Sequence, residues 1–277
     1  MKKTHFKKSL GQNFLRDLSV IDDIITLADT SLDDVIFEVG PGDGALTQKL
    51  LATGAQVIAL EIDQDLLENL KNKFTNEKNF TLLHEDIRRF NLPTYLKEKN
   101  ISKYHVVANL PYYITSSIMR YFLESERPPE SMTVMVQKEV GQRMCANAGS
   151  LSILGVSVQY YGSPAIVLEV SAAAFEPVPK VDSAIVQIKN ISVYGGHDEA
   201  YTKQFFRLVK AGFSARRKML AKNLMNSLND EVPSKETLEQ QLEAIGVKKT
   251  ARAQELTLEQ WHQLTRVFDE DGGVMKQ

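Results

Sequence analysis

The sequence predicts an α/β protein: a mostly parallel, doubly wound sheet flanked by helices, followed by a smaller all-helical C-terminal domain. Two observations carry this expectation. Short apolar runs alternate with helix-periodic segments from Val35 to Leu123, as successive βαβ units require. Beyond Ser192–Glu199, a patternless stretch containing Gly195-Gly196, only helical periodicity remains. The expected domains are therefore residues 1–192, with a basic N-terminal lead, and residues 199–271.

The elements follow in order. Val20–Ala28 reads as an amphipathic helix capped by Asp17 or Ser19. Val35–Val39 is a compact strand signal; Gly40-Pro41-Gly42-Asp43-Gly44 follows it, and Ala45–Ala52 starts a helix. Gln56–Leu60 is the second strand, running into Glu61-Ile62-Asp63, and Asp65–Phe74 is a helix. Phe80–His84 is the third strand, followed by Glu85-Asp86. Tyr104–Ala108 is the fourth, followed by Asn109-Leu110-Pro111-Tyr112 and a helix at Thr115–Leu123. Ser131–Gln137 reads as a buried strand and Lys138–Ala146 as a short helix. Leu151–Tyr161 and Ala165–Val170 read as two strands joined by the turn Gly162-Ser163-Pro164, and Ala184–Ile188 as the last strand. Helices are expected at Tyr201–Gly212, Ala215–Leu228, Lys235–Ile245 and Thr257–Asp269.

Composition narrows the class. The chain has 277 residues, 43% of them apolar, enough for a substantial core. A single cysteine, Cys145, excludes an intrachain disulfide framework. No long apolar stretch follows the basic N-terminus and no run long enough to span a bilayer occurs, so a cytoplasmic protein without a membrane partner is expected. The histidines His5, His84, His105, His197 and His262 are scattered without ligand spacing, and no metal is expected.

The net charge of −2 does not announce a polyanion partner, but its distribution does. Residues 1–16 contain Lys2, Lys3, Lys7, Lys8 and Arg16 and no acid. Ala200–Asn229 contains Lys203, Arg207, Lys210, Arg216, Arg217, Lys218 and Lys222, again without an acid, and Arg216–Lys218 are expected to begin a helix. Such patches suit a nucleic-acid backbone; ordinary solvated helix faces are the alternative.

The loop Gly40-x-Gly42-x-Gly44 after a strand lets a ligand approach the backbone. Glu61 follows 21 residues after Gly40, placed to accept both hydroxyls of a ribose. These features alone fit NAD as well as S-adenosylmethionine. Ala45 stands where the dinucleotide fingerprint has its last glycine, which favours the latter. Asp86 is placed either to take a hydrogen bond from an adenine amine or to cap a turn. Glu38 and Asp43 add negative charge that would repel a pyrophosphate and tolerate a sulfonium. At the end of the fourth strand, Asn109-Leu110-Pro111-Tyr112 suits a flat ring bearing an amine. The ring stacks on Tyr112, while Asn109 and the carbonyls of Leu110 and Pro111 accept from the NH2.

Taken together, the motifs resemble the small-subunit (16S) ribosomal RNA adenine N6,N6-dimethyltransferases, the kasugamycin-resistance methylases. Gly11-Gln12-Asn13-Phe14-Leu15 matches the family's opening, Glu38-Val39-Gly40-Pro41-Gly42 its glycine loop and Asn109-Leu110-Pro111-Tyr112 its catalytic motif. Gln137-Lys138-Glu139-Val140 and Phe175-Glu176-Pro177-Val178-Pro179-Lys180-Val181-Asp182-Ser183 match downstream signatures. Phe213-Ser214-Ala215-Arg216-Arg217-Lys218 and Ala251-Arg252-Ala253-Gln254-Glu255-Leu256 match the C-terminal domain. The resemblance implies a Rossmann-like methyltransferase sheet. The implied activity is S-adenosylmethionine-dependent dimethylation of two adjacent adenines in the 3′-terminal hairpin loop of small-subunit rRNA, within an assembling 30S particle, with no oligomer required. It implies cofactor contacts at Asn13, Leu15, Gly40, Gly42, Glu61, Asp86 and Asn109. It places the target base at Asn109, Leu110, Pro111 and Tyr112, with Phe175 as the second aromatic; by composition alone Phe175 reads as core. RNA contacts are expected at Lys7, Lys8, Arg207, Lys210, Arg216, Arg217, Lys218 and Arg252. One departure stands out: Ala146–Ser150 runs straight into Leu151-Ser152, where the family carries a longer glycine-containing loop. That shortening bears on one RNA contact and not on the cofactor residues.

Three other readings compete. The large-subunit rRNA adenine methyltransferases of macrolide resistance share the aromatic-proline logic, but Leu110 and the Pro177–Ser183 run favour the small-subunit type. A non-catalytic ribosome-assembly factor is opposed by the intact Glu61, Asp86, Asn109 and Tyr112. A nicotinamide dehydrogenase is opposed by the glycine spacing and by the lack of an acid-base set.

Overall fold

The computed structural model describes residues 13–229 and 234–272. They fall into two units: one carries the chain up to Gln142 together with Gly162–Val193, the other Arg143–Tyr161 together with Tyr194 onward.

The first unit is built on a seven-stranded sheet. In chain order its strands are β2 (Val35–Val39), β3 (Gln56–Glu61), β4 (Phe80–His84), β5 (His105–Asn109), β6 (Ser131–Gln137), β7 (Ser163–Val170) and β9 (Ser183–Lys189). In space the order is β4-β3-β2-β5-β6-β9-β7. The five strands from β4 to β6 are mutually parallel, while β9 runs antiparallel to both β6 and β7. The chain thus winds outward from β2 in one direction and returns to begin again at β5, creating a topological switch point between them. Two short strands outside the main sheet, β1 (Phe14–Leu15) and β8 (Phe175–Glu176), pair antiparallel with Leu15 opposite Phe175. Neither is expected from the sequence, because two residues carry no periodicity.

Helices α1 (Leu18–Ala28), α2 (Ala45–Ala52), α3 (Gln64–Lys73), α4 (Leu92–Glu98), α5 (Thr115–Leu123) and α6 (Lys138–Met144) connect these strands. Side-chain caps start three of them: Asp17 accepts from the Ser19 N–H, Asp63 from the Asp65 N–H and Asn91 from the Thr94 N–H. The last belongs to α4, which the sequence reading did not anticipate. One face of the sheet packs Ile36, Val57, Val107, Met135 and Ile185 against Ile21 and Ile24 of α1 and Leu46 and Leu50 of α2.

The second unit is helical, with α7 (Ile153–Tyr161), α8 (Glu199–Gly212), α9 (Leu220–Leu228), α10 (Lys235–Ala244) and α11 (Leu258–Gly272). Helix α7 corrects the strand expected at Leu151–Tyr161, and it groups with this unit although it precedes the expected boundary near residue 192. Leu154–Val158, Tyr160 and Tyr161 are all buried. Only Ile153 is exposed and only Gln159 half-buried, so the helix lacks the polar stripe that would separate it from a strand. Tyr160 packs on Phe205 with ring centroids 4.4 Å apart and stacks on His262 at 5.5 Å.

The helix expected from Ala215 begins only at Leu220. Buried Asn223 donates to the carbonyls of Gly212 and Ala215 at 2.6 and 3.0 Å. This satisfies the end of α8 and holds the intervening residues as a turn. Gly212 itself has ordinary helical geometry, but a Cβ there would lie 2.5 Å from the ring of the fully buried Trp261 and 2.8 Å from Leu220. Gly212→Ala is therefore expected to destabilise the protein by about 1–3 kcal/mol through overpacking, outweighing the gain in helix propensity. Chemical denaturation with an unchanged or higher midpoint would contradict this packing.

Candidate cofactor and base site

The cavity of interest opens at the carboxyl ends of β2 and β5. The two strands pair in parallel, Ile36 opposite His105 and Phe37 opposite Val106, so the loop leaving β2 and the motif leaving β5 emerge side by side. The cavity is lined by Asn13, Leu15, Gly40, Gly42, Glu61 and Asp86. Asn109, Leu110, Pro111, Tyr112 and Tyr113 line it as well. All expected cofactor residues and four of the five expected base residues thus share one space.

The glycine loop is shaped by its neighbours. Gly40 and Gly42 have φ of +70° and +62°, a region that disfavours side chains. A Cβ on Gly42 would sit 3.1 Å from the Phe14 ring, and one on Gly40 would sit 3.4 Å from Pro111. The loop therefore lies close against β1 and against the base motif, leaving its backbone accessible from the cavity. Arg16, which follows β1, pairs with Asp43 of the loop and, at 3.0 Å, with Glu176 of β8.

Glu61 is only 5% exposed. Its Oε1 accepts the backbone N–H groups of Ile62 and Asp63, both at 2.8 Å. Burial raises its pKa and these N–H groups oppose the rise. The carboxylate is held rigidly at the tip of β3, with acceptor capacity for a vicinal diol. Asp86 lies in the turn after β4 and is engaged by Arg88, which holds its carboxyl below the usual carboxylate range. This set of groups fits an adenosyl group: acidic acceptors for ribose and amine, and a glycine cradle a Cβ would fill.

Two expectations about charge change. Glu38 is almost fully buried and accepts from the Thr47 hydroxyl at 2.6 Å. Desolvation pushes its pKa up to about 8, Thr47 opposes the rise, and nearby Glu61 adds to it. Glu38 is thus largely neutral at pH 7, and Asp43 is paired with Arg16. Neither is the source of free negative charge that the sequence suggested.

At the base motif, Asn109 donates its amide NH2 to the Asn13 carbonyl at 3.4 Å, which turns its Oδ1 to the acceptor role. The Leu110 N–H is fixed by the Met135 carbonyl at 3.1 Å. The Pro111 carbonyl, expected among the base acceptors, is already occupied by the Thr115 hydroxyl at 3.1 Å and the Ile114 N–H at 3.3 Å. That leaves Asn109 and the Leu110 carbonyl for an amine. The Tyr112 hydroxyl meets Ser183 Oγ at 2.6 Å, fixing the ring, and burial raises its pKa.

Phe175 does not line the cavity with the others. It is 2% exposed, on β8, and packs within the core cluster that includes Leu15 and Ile185. Among residues the sequence reading did not single out, Arg88 and Tyr113 also line the cavity; their type carries no signal without the fold.

Of the expected RNA contacts, Lys7 and Lys8 lie outside the described residues. In the second unit Arg207, Lys210, Arg216, Arg217, Lys218 and Arg252 are all exposed. Arg216–Lys218 occupy the turn before α9 rather than the start of a helix. The short loop before α7 closes onto the Ala251–Leu256 motif, with the Gly149 N–H donating to the Gln254 carbonyl at 2.8 Å.

Comparison with known proteins adds the following. Residues 3–270 match the family model described as ribosomal RNA adenine dimethylase. The chain is 42% identical over 267 residues to a protein of Dehalococcoides mccartyi named ribosomal RNA small subunit methyltransferase A, covering 96% of this chain and 89% of that one. A protein of the same name from Lachnoclostridium phytofermentans is 40% identical over 274 residues, covering 96% and 92%. Among solved structures, a dimethyladenosine transferase from Plasmodium falciparum superposes with TM-score 0.77 at 25% identity, covering 94% of this chain and 98% of that one. The 23S rRNA methyltransferase ErmE superposes with TM-score 0.74 at 28% identity, covering 93% and 100%.

The environment of Glu38 has a consequence for stability. Its pKa is raised on folding, so the native state holds a proton that the unfolded chain gives up at about 4.5, the ordinary value. The associated stability is complete below that pH and is lost as pH rises towards about 8, at about 1.4 kcal/mol per tenfold of proton affinity. Glu38→Gln, which keeps a neutral group, is expected to flatten the fall in unfolding free energy between pH 5 and pH 8. Parallel pH profiles for the two proteins would refute the assignment.

Proposed function

The chain belongs to the ribosomal RNA adenine dimethylase family, and on that premise we propose that it dimethylates two adjacent adenines in the 3′-terminal hairpin loop of small-subunit rRNA. It is an S-adenosylmethionine-dependent methyltransferase acting on ribosomal RNA. No helix among the described residues is long and apolar enough to cross a membrane. The proposed setting is cytoplasmic, on an assembling 30S particle. The observation that carries the reading is that Glu61 and the glycine loop share one cavity with Asn109-Leu110-Pro111-Tyr112. The higher identity to proteins named for the small subunit than to the 23S enzyme favours the small-subunit substrate.

In this reading Glu61 accepts the ribose hydroxyls, Asp86 accepts the adenine amine of the cofactor, and the backbone at Gly40 and Gly42 accommodates the remainder. When bound, S-adenosylmethionine supplies an electrophilic methyl group. The target N6 is a weak nucleophile because its lone pair is delocalised into the ring, yet it is neutral and needs no strong base. In the first transfer its two hydrogens are accepted by Asn109 Oδ1 and the Leu110 carbonyl, which favours a pyramidal nitrogen with its lone pair directed for attack; in the second, one hydrogen remains to be accepted. Tyr112, held by Ser183, stacks on the ring, and positioning supplies most of the rate. The proton leaves to water after transfer. Phe175 reaches the base only if β8 shifts from its pairing with β1.

Asn109→Ala is expected to lower the single-turnover methylation rate on 30S particles by about 100-fold or more while RNA affinity stays within a few fold. A normal single-turnover rate would remove Asn109 from the chemistry. Glu61→Ala is expected to weaken cofactor binding by roughly 1.5–3 kcal/mol, read by calorimetry; an unchanged Kd would exclude the ribose contact.

The exposed Arg216 and Arg217 are assigned to the RNA backbone, where contacts position rather than specify and release counterions. Replacing both with alanine should weaken RNA binding and flatten its salt dependence while cofactor affinity is retained. Parallel salt series with equal affinities would exclude that role, and equal losses for RNA and cofactor would indicate damaged folding instead.

A further inference from the structure

We infer that Arg88 is a positioning residue for cofactor recognition: its guanidinium clamps the Asp86 carboxylate so that one acceptor edge is presented to the exocyclic amine of the cofactor's adenine. The inference rests on the assignment of Asp86 to that amine.

Arg88 engages Asp86 as a fork. Nη2 donates to Oδ2 at 2.6 Å, and Nε donates to Oδ1 at 3.0 Å and to Oδ2 at 3.2 Å. The Arg88 backbone N–H adds a further bond to Oδ1 at 3.0 Å. The Asp86 backbone is fixed too, since its carbonyl accepts from the N–H groups of Arg89 at 2.8 Å and Phe90 at 3.0 Å. The carboxylate therefore has one orientation, set from within its own turn. Both residues line the cavity. The Asp86 side chain is only 17% exposed while that of Arg88 is 49% exposed.

A carboxylate has about four acceptor sites. Three N–H hydrogens, that of Nε shared between the two oxygens, draw on these sites, so the capacity for one more donor remains. An ionised carboxylate only accepts, so it binds a 6-amino group and repels a 6-keto oxygen. The same clamp keeps the group ionised, with Arg88 the largest cause lowering its pKa. A bidentate arginine also restricts the carboxylate to the plane of the fork. Without it, Asp86 could rotate towards solvent and its selectivity would fall. The pair is partly exposed, so it contributes little to folding, and its loss should register in ligand choice.

The test measures binding of S-adenosyl-L-homocysteine and S-inosyl-L-homocysteine by calorimetry. They differ at position 6, amino against keto, and at N1, a bare acceptor in the first and an N–H in the second, so Asp86→Ala sets the baseline for what the carboxylate reads. The proteins compared are the wild type, Arg88→Ala, Arg88→Lys and Asp86→Ala. The wild type should prefer the adenosyl ligand. Arg88→Ala should lose about tenfold of that preference, with affinity for the inosyl ligand little changed. Arg88→Lys, which restores charge without the planar fork, should fall between. If Arg88→Ala keeps the wild-type preference while Asp86→Ala abolishes it, the role of Arg88 is overturned and the Asp86 assignment stands. Retention of the preference in Asp86→Ala overturns both. Full recovery by lysine, or equal losses for both ligands in Arg88→Ala, also overturns the positioning role.

Discussion

The parallel pairing of β2 with β5 is the constraint on which the site depends. The register, Ile36 opposite His105, brings the ends of two strands that are far apart in sequence to the same edge of the sheet. Strand order reverses there, so the helices that follow leave to opposite sides and a crevice opens between the loops. Gly40 and Pro111, one on each loop, come close enough that a Cβ on the glycine would touch the proline ring. A one-residue slip would exchange the faces of β5 and move Asn109 away from the glycine loop.

Around that crevice the chain adds a second layer. Strand β1 lies against the glycine loop through Phe14, supplies the Asn13 carbonyl that orients Asn109, and pairs with β8. Arg16 links the same three segments. Cofactor loop, amide and Phe175 strand are thus held by one short N-terminal segment. The buried position of Phe175 is a consequence of that pairing, since Leu15 lies opposite it.

The electrostatics follow the same logic. Five acidic residues line the cavity, Glu38, Asp43, Glu61, Glu85 and Asp86, yet they are not equivalent. Burial neutralises Glu38, an arginine engages Asp43 and another clamps Asp86, while two backbone N–H groups hold Glu61. Four of the five carboxylates are thus set in different states by their immediate partners, buried, paired with arginine or held by backbone N–H groups, although the residue types are nearly the same.

The sequence by itself determined the sheet strands from Val35 to Gln137, because half-buried and buried strands between glycine-rich turns leave a direct pattern of β-branched and apolar residues. It also singled out Gly40, Glu61, Asp86 and Asn109, which stand at or just after strand ends and line one cavity, because motifs of that kind are local. The tertiary structure alone decided what depends on partners distant in the chain. Helix α7 reads as a strand until the burial of nearly all its residues is seen. The turn at Arg216–Lys218 exists because Asn223 satisfies the end of α8. The neutrality of Glu38, the occupied Pro111 carbonyl and the placement of Phe175 arise from desolvation and pairing, which residue identity does not encode without three-dimensional neighbours.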